Sequence, residues 1–229
     1  LTKSNLQSKS DTEVLLYSLI ERGQNVINEL EGMFSFIFYD KLNKTFFFGR
    51  DRFGIKPLYY TNVNGNIIFS SEIKSLLKLN KFEINNNSFC NFFLKGSMDH
   101  DENTFFKNIF SIMPGHNGLV KNNKINIKKY WTLPKKKSEI FNEKSSYKKK
   151  RSILENLLNS SLEKHLVSDR KLGLFLSGGT DSNAILNLIL NKKKDETLNT
   201  FTYGFKNNLE SSEISRVNKI ISQNKKILN

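Results

Sequence analysis

"LFLSGGTDSNAILNLIL", residues 174–190, sets two glycines, two serines and an aspartate between an apolar run and a run with helical spacing. Glycine loses more backbone freedom on folding than any other residue, so a Gly-Gly pair between two core-forming segments has to do something a bulkier loop could not. The stretch reads as strand, loop, helix. At a helix start the first backbone N–H groups have no intrahelical partner, and the helix dipole adds positive potential. Gly178 and Gly179 remove the side chains that would hold a ligand away from those groups, and Ser177 and Ser182 offer hydroxyls. The pattern suits an anion, best a phosphate or pyrophosphate. Asp181 fits beside an anion when a cation sits between them, and Mg²⁺ held by one carboxylate and phosphate oxygens is that arrangement. The plain alternative is a tight strand-to-helix turn capped by Ser or Asp; the compact set Ser177-Gly178-Gly179-x-Asp181-Ser182 favours the anion site. Neither G-x-x-x-x-G-K-[ST] nor G-x-G-x-x-G is present.

Outward from the loop, "LNTFTYGF" (198–205) reads as a second strand and a helix opens near Glu210. Upstream, apolar residues at 153, 154, 157, 158, 162 and 166 mark a long amphipathic helix. The order βαβα predicts a parallel sheet with helices on its faces. "TLPKKKSEIFNEKSSYKKK" (132–150) is charged, with few apolar anchors, and reads as a linker running into that helix.

The first half has another texture. "SDTEVLLYSLIERG" (10–23) is a helix started by Ser10 or Asp11 and closed by Gly23. "GMFSFIFYD" and "KTFFFGRD" form a hairpin about "KLNK", buried on both faces where the alternation fails. "PLYYTNVNGNIIFSS" is a second hairpin, turning at Asn64-Gly65. "SSEIKSLLKL" is a short helix capped by Ser70 or Ser71, with Glu72 in its first turn, and "NSFCNFFLKG" a helix ended by Gly96. "MPGHNGLVKNNKINIKKYW" gives two strands about "KNNK". The halves thus differ in class: antiparallel β with helices, then α/β.

With 229 residues and 38% hydrophobic residues, the chain can build more than one core. The net charge of +14 admits a nucleic-acid or membrane-surface partner. The lysines fall mostly singly among asparagines, however, which is a solvated-surface pattern, and the phenylalanines sit on strand periods that bury them. The clusters Lys135–Lys137 and Lys148–Arg151 read as linker or helix start. One cysteine allows no internal disulfide and suits a reducing cytoplasm. No apolar run has membrane-spanning length, and the polar opening is no signal peptide. The start at Leu1 and the end at "SQNKKILN" read as cuts in a longer protein.

S-G-G-x-D-S after a strand resembles the pyrophosphate loop of ATP pyrophosphatases. "LEGMFSFIFYD", "GRDRFGIKPLYY", "SSEIKSLL", "MPGH" and "YW", in this order, resemble the glutaminase domain of class II glutamine amidotransferases. The two together are similar to the glutamine-hydrolysing asparagine synthetase family, over nearly the whole chain. The resemblance implies a two-domain fold. Residues 1–131 would be an α+β antiparallel sandwich of the N-terminal-nucleophile-hydrolase type, lacking its N-terminus. Residues 132–145 would be a linker, and 146–229 the start of an α/β parallel sheet of the ATP pyrophosphatase type.

It also implies the chemistry. A cysteine at the protein's N-terminus attacks the glutamine amide. Ammonia travels to a second site, where ATP and aspartate have formed β-aspartyl-AMP, and displaces AMP to give asparagine. Asp11 matches the aspartate that binds the glutamine amino group; helix capping is its plain alternative. Leu176, Ser177, Gly178, Gly179, Asp181 and Ser182 match the ATP loop, Asp181 toward Mg²⁺. Thr180 departs from the usual Leu, Val or Ile. Tyr203 falls where an adenine-contacting residue lies, with a core tyrosine as alternative. The implied partners are glutamine, aspartate and ATP, with no nucleic acid or membrane, in a cytoplasmic enzyme that forms a homodimer at full length. The nucleophile is absent, so the chain alone is expected to be inactive. A relative of the same layout could amidate another carboxylate, such as a sugar acid or secondary metabolite, or close a β-lactam.

Other residues read as scaffold. Arg50 and Asp51 could pair, Gly54 suits a turn, and Pro57 fixes a strand start. Cys90, between Phe89 and Phe92, reads as an inert core residue; the family nucleophile needs its own free α-amino group, which an internal cysteine cannot supply. His100, His116 and His165 show no ligand spacing and read as structural or surface residues.

Overall fold

The computed structural model describes residues 6–8, 10–97, 100–134, 146–192, 197–204, 213–223 and 227–228. It divides into two compact units, Leu1–Lys135 and Lys136–Asn229. Most of the expected linker (135–145, with Lys135–Lys137) and the expected helix start at Glu210 lie outside the described residues.

In the first unit, α1 (Asp11–Arg22) begins at Ser10, whose side chain accepts from the Thr12 N–H, and stops at Gly23. A 3₁₀ turn (Gly23–Asn28) follows. β1 (Ser35–Asp40) and β2 (Thr45–Arg50) form the expected antiparallel hairpin. They join β6 (His116–Lys121) and β7 (Lys124–Lys129) in a sheet ordered β1-β2-β6-β7. β3 (Tyr59–Val63), β4 (Asn66–Ser70) and β5 (Ile109–Ser111) make a second antiparallel sheet, ordered β4-β3-β5. The β3–β4 turn has φ of 52° at Asn64 and 79° at Gly65, the left-handed pair that Asn-Gly supplies at little steric cost.

The failed alternation in "TFFFGR" has a physical cause. Successive strand residues point to opposite faces, and the four-stranded sheet is covered on both. Phe47 packs with Leu19, Val26 and Ile27 of the helical layer. Phe48 packs with Leu58, Ile112 and Val120 on the other side. Each fully buried phenylalanine contributes about 1.5–3 kcal/mol, so two in succession fix the register of β2.

The segment between β2 and β3 is held by two neighbouring side chains. Arg50 donates from Nε to the Lys56 carbonyl at 2.8 Å, from Nη1 to the Ile112 carbonyl at 2.6 Å and from Nη2 to the Gly54 carbonyl at 2.7 Å. Asp51, 1% exposed, accepts from the N–H groups of Phe53, Ile55 and Lys56 at 3.1, 3.0 and 2.9 Å. Asp51→Ala leaves three backbone donors without their acceptor. We expect a loss of about 3 kcal/mol, read as a lower urea midpoint at unchanged slope. A midpoint within experimental error of wild type would contradict this role.

Three sequence expectations are corrected here. The helix after β4 is only α2 (Ile73–Leu76), with Glu72 as its N-cap. Ser70 bonds the Glu72 backbone through both its donor and its acceptor, so it closes the preceding turn rather than the helix. β5 has no counterpart in the sequence reading, because three residues are too few to show a period. Cys90 is exposed, not core. It sits on α3 (Asn86–Lys95), which buries none of its residues. Phe89, Phe92 and Phe93 contact one another and Phe105 instead of entering a core.

In the second unit, α4 (Tyr147–His165), β8 (Gly173–Phe175), α5 (Thr180–Lys192), β9 (Leu198–Phe201), α6 (Ile214–Ser222) and β10 (Ile227–Leu228) follow in order. The three strands are parallel, ordered β10-β9-β8. Leu176, Leu186, Ile189, Leu198 and Val217 form the core, and Leu162 and Leu166 pack onto it. Only the end of α4 is thereby covered. Leu154, Leu157 and Leu158 remain exposed, although their period is helical. Phe175 and Phe201, paired across β8 and β9, are exposed too. Strand period therefore does not bury the phenylalanines at these positions.

Candidate functional site

The glycine loop is anchored at its start. Leu176 is buried, its N–H donates to the Phe201 carbonyl at 2.9 Å, and its carbonyl accepts from the Thr202 hydroxyl at 2.9 Å. The chain then turns through Gly178 at φ 74°. A Cβ there would lie 2.9 Å from the Arg216 Cβ, so the loop passes α6 at a distance only glycine permits. Gly179 differs: a Cβ on it would meet only the Ser177 Oγ, at 3.3 Å. α5 begins directly after Gly179.

The two serines tie the loop together. Ser177 Oγ accepts from the Gly179 N–H at 3.3 Å and lies 3.1 Å from Ser182 Oγ, which donates to the Gly179 carbonyl at 3.2 Å. Both hydroxyls are hydrogen-bonded within the loop. The Asn183 N–H bonds the Gly179 carbonyl at 3.1 Å, which starts α5. The N–H groups of Thr180, Asp181 and Ser182 therefore stand in the first turn, ahead of the helical ladder. Asp181 is exposed in that turn. Tyr203 follows Thr202, whose hydroxyl bonds the loop's first carbonyl. It is 75% exposed, outside the core formed by the described residues.

Asp11 belongs to the other unit. Ser10, not Asp11, caps α1. Asp11 is exposed, and its Oδ1 accepts from the Thr12 hydroxyl at 3.5 Å. Helix capping thus does not account for this carboxylate.

The histidines have local partners. His116 Nδ1 lies 2.9 Å from the Pro114 carbonyl, His165 Nδ1 2.8 Å from the Ser161 carbonyl, and His100 Nε2 3.5 Å from Asp101 Oδ2. Among the described residues no three of His, Cys, Asp and Glu are placed to hold a metal together. No helix of the described residues is long and apolar enough to cross a membrane. The sequence reading missed two features. Arg216 limits Gly178, and nothing local in the sequence signals that approach. Asn117 is a buried polar side chain in β6; its signal is an amide at an inward strand position.

Comparison with known proteins gives the family. Residues 1–131 match the glutamine amidotransferase domain, and residues 154–225 match asparagine synthase. The glutamine-hydrolysing asparagine synthetase 3 of Bacillus subtilis is 31% identical over 204 residues, which cover 87% of this chain and 32% of the relative. A putative asparagine synthetase of Methanocaldococcus jannaschii is 32% identical over 225 residues, covering 94% and 42%. An amidase of Penicillium rubens is 28% identical over 189 residues, covering 82% and 28%. The chain thus spans roughly a third of the length of these curated relatives. With its antiparallel unit matched from residue 1 to residue 131 of 229, the chain belongs to the glutamine amidotransferase domain family, followed by an asparagine synthase segment.

Proposed function

We propose that the chain works within a glutamine-hydrolysing asparagine synthetase, converting aspartate, glutamine and ATP to asparagine, glutamate, AMP and pyrophosphate. Residues 1–131 would be the glutaminase domain, of the N-terminal-nucleophile-hydrolase type. Residues 132–145 would be the linker and 146–229 the start of a synthetase domain of the ATP pyrophosphatase type. The observation that carries this reading is the succession of an antiparallel unit matching the amidotransferase family and a parallel unit whose Gly178-Gly179 loop opens α5. On this reading the enzyme is cytoplasmic and dimeric and has no nucleic-acid or membrane partner.

Within it, the Asp11 carboxylate takes the ammonium of glutamine. Leu176, Ser177, Gly178, Gly179, Asp181 and Ser182 form the ATP loop. Leu176 and the serines hold its shape, the glycines open its backbone, and the first N–H groups of α5 receive phosphate oxygens. Tyr203 offers an exposed ring to adenine. The donor set suits Mg²⁺: Asp181 supplies one carboxylate, no all-protein cage surrounds it among the described residues, and such an ion commonly completes its shell with phosphate oxygens and water. When bound it would neutralise phosphate charge beside Asp181.

The test is aspartate-dependent pyrophosphate release from ATP by the full-length protein. Asp181→Asn is expected to keep the fold and to raise the Mg²⁺ concentration needed for half-maximal release by about tenfold or more, as loss of a charge-assisted contact would. Unchanged release at low Mg²⁺ would remove the metal role from Asp181. No aspartate-dependent release by wild type would remove aspartate as acceptor. That outcome would favour a second reading, the same chemistry directed at another carboxylate; two of the relatives are named amidases rather than asparagine synthetases.

A further inference from the structure

Arg216 belongs to α6, and its side chain starts against the glycine loop. It is the third residue of the helix, after Ile214 and Ser215. Its neighbours fix its place. Val217 is fully buried in the core that also holds Leu176. Ile214 packs against the end of β9 and leaves no room for a Cβ on Gly204. Arg216 itself backs onto Gly178, where an added Cβ would lie 2.9 Å from the Arg216 Cβ. The root of this side chain is therefore held beside the loop. The first turn of α6 lies at the carboxyl ends of β8 and β9, the end of an open parallel sheet at which ligands bind.

The position is electrostatically adverse for a cation. A positive side chain in the first turn of a helix meets the positive end of the helix dipole. The first turn of α6 holds no acidic residue to offset it. Arg216 is exposed, and no partner of its guanidinium lies among the described residues. Neither packing nor an ion pair accounts for the charge. What the side chain lacks is an anion, and the loop it backs onto is the one proposed to hold the phosphates of ATP.

We propose that Arg216 binds the pyrophosphate portion of ATP, its planar guanidinium taking two phosphate oxygens at once. The inference rests on the ATP-loop reading above and adds a residue to it. In that reaction the aspartate carboxylate bonds the α-phosphorus. The oxygen bridging the α- and β-phosphates leaves with the electron pair, as part of pyrophosphate. Charge thus develops on the leaving pyrophosphate, and a cation fixed there beforehand stabilises it.

The experiment is calorimetric titration of the full-length protein with ATP, pyrophosphate and AMP, each with Mg²⁺, on wild type, Gly179→Val and Arg216→Gln. Arg216→Gln is expected to raise the Kd of pyrophosphate by about tenfold or more, as loss of a charge-assisted contact would. AMP should stay within about twofold of wild type. The thermal midpoint should equal or exceed that of wild type, because a cation leaves the positive end of a helix. Unchanged pyrophosphate binding by Arg216→Gln, with ATP still bound by wild type and lost in Gly179→Val, overturns this proposal and leaves the ATP loop standing. AMP and pyrophosphate weakened alike, with a lowered midpoint, would make Arg216 a packing residue and overturn it too. Wild type that binds neither ATP nor pyrophosphate overturns the ATP-loop reading, and this proposal with it.

Discussion

Gly179→Val is expected to abolish ATP-dependent synthesis from glutamine and from ammonium alike, by about a hundredfold or more, while the protein stays folded. The structure separates the two glycines in a way the sequence could not. Gly178 has φ 74° and sits against Arg216, so a side chain there strains the fold itself. Gly179 is less confined: a Cβ there would meet only the Ser177 Oγ, at a tight 3.3 Å. Valine at 179 would press on the Ser177 Oγ and stand before the first N–H groups of α5, where phosphate oxygens are proposed to lie. Displacing a reacting group by about 1 Å costs on the order of a hundredfold in rate, and a branched side chain intrudes further than that. The comparison is with Gly178→Ala, which should lower the thermal midpoint. If Gly179→Val retains synthesis, ATP does not use this loop. If it unfolds the protein, the loop is a packing element first.

The loop was readable in the sequence because its chemistry is local. A strand, two glycines and a helix start are contiguous, and each type has a backbone reason to be there. Asn64-Gly65 and "KNNK" were readable for the same reason, and Asn122 and Asn123 take left-handed φ of 49° and 57° as that turn requires. What the sequence misjudged depends on partners distant in the chain. The helical period of α3 and α4 says that one face is apolar, but not whether anything covers it. On α3 the rings cluster on themselves, and on α4 only Leu162 and Leu166 reach the core. Cys90 was misplaced for this reason. That Ser177 and Ser182 lie within 3.1 Å of each other is another such contact, invisible in composition. The glutamine amidotransferase family was legible from the ordered motifs of the first half, which the match over residues 1–131 bears out.

Asp11 carries the claim that the two units do different chemistry toward one product. Ser10 has taken the capping role, so the exposed Asp11 carboxylate is available for a ligand ammonium. A charge-assisted contact of this type contributes about 1.5–3 kcal/mol. Asp11→Ala should therefore lower glutamine-dependent synthesis by roughly ten- to a hundredfold. Synthesis from an ammonium salt needs no glutamine contact and should stay near the wild-type rate. The deciding measurement is a paired assay of Asp11→Ala in the full-length protein, glutamine against ammonium chloride, at equal ATP and aspartate. Loss on glutamine alone is expected. Equal loss on both nitrogen sources would contradict it, and would make Asp11 a residue of the α1 fold rather than of the glutamine site.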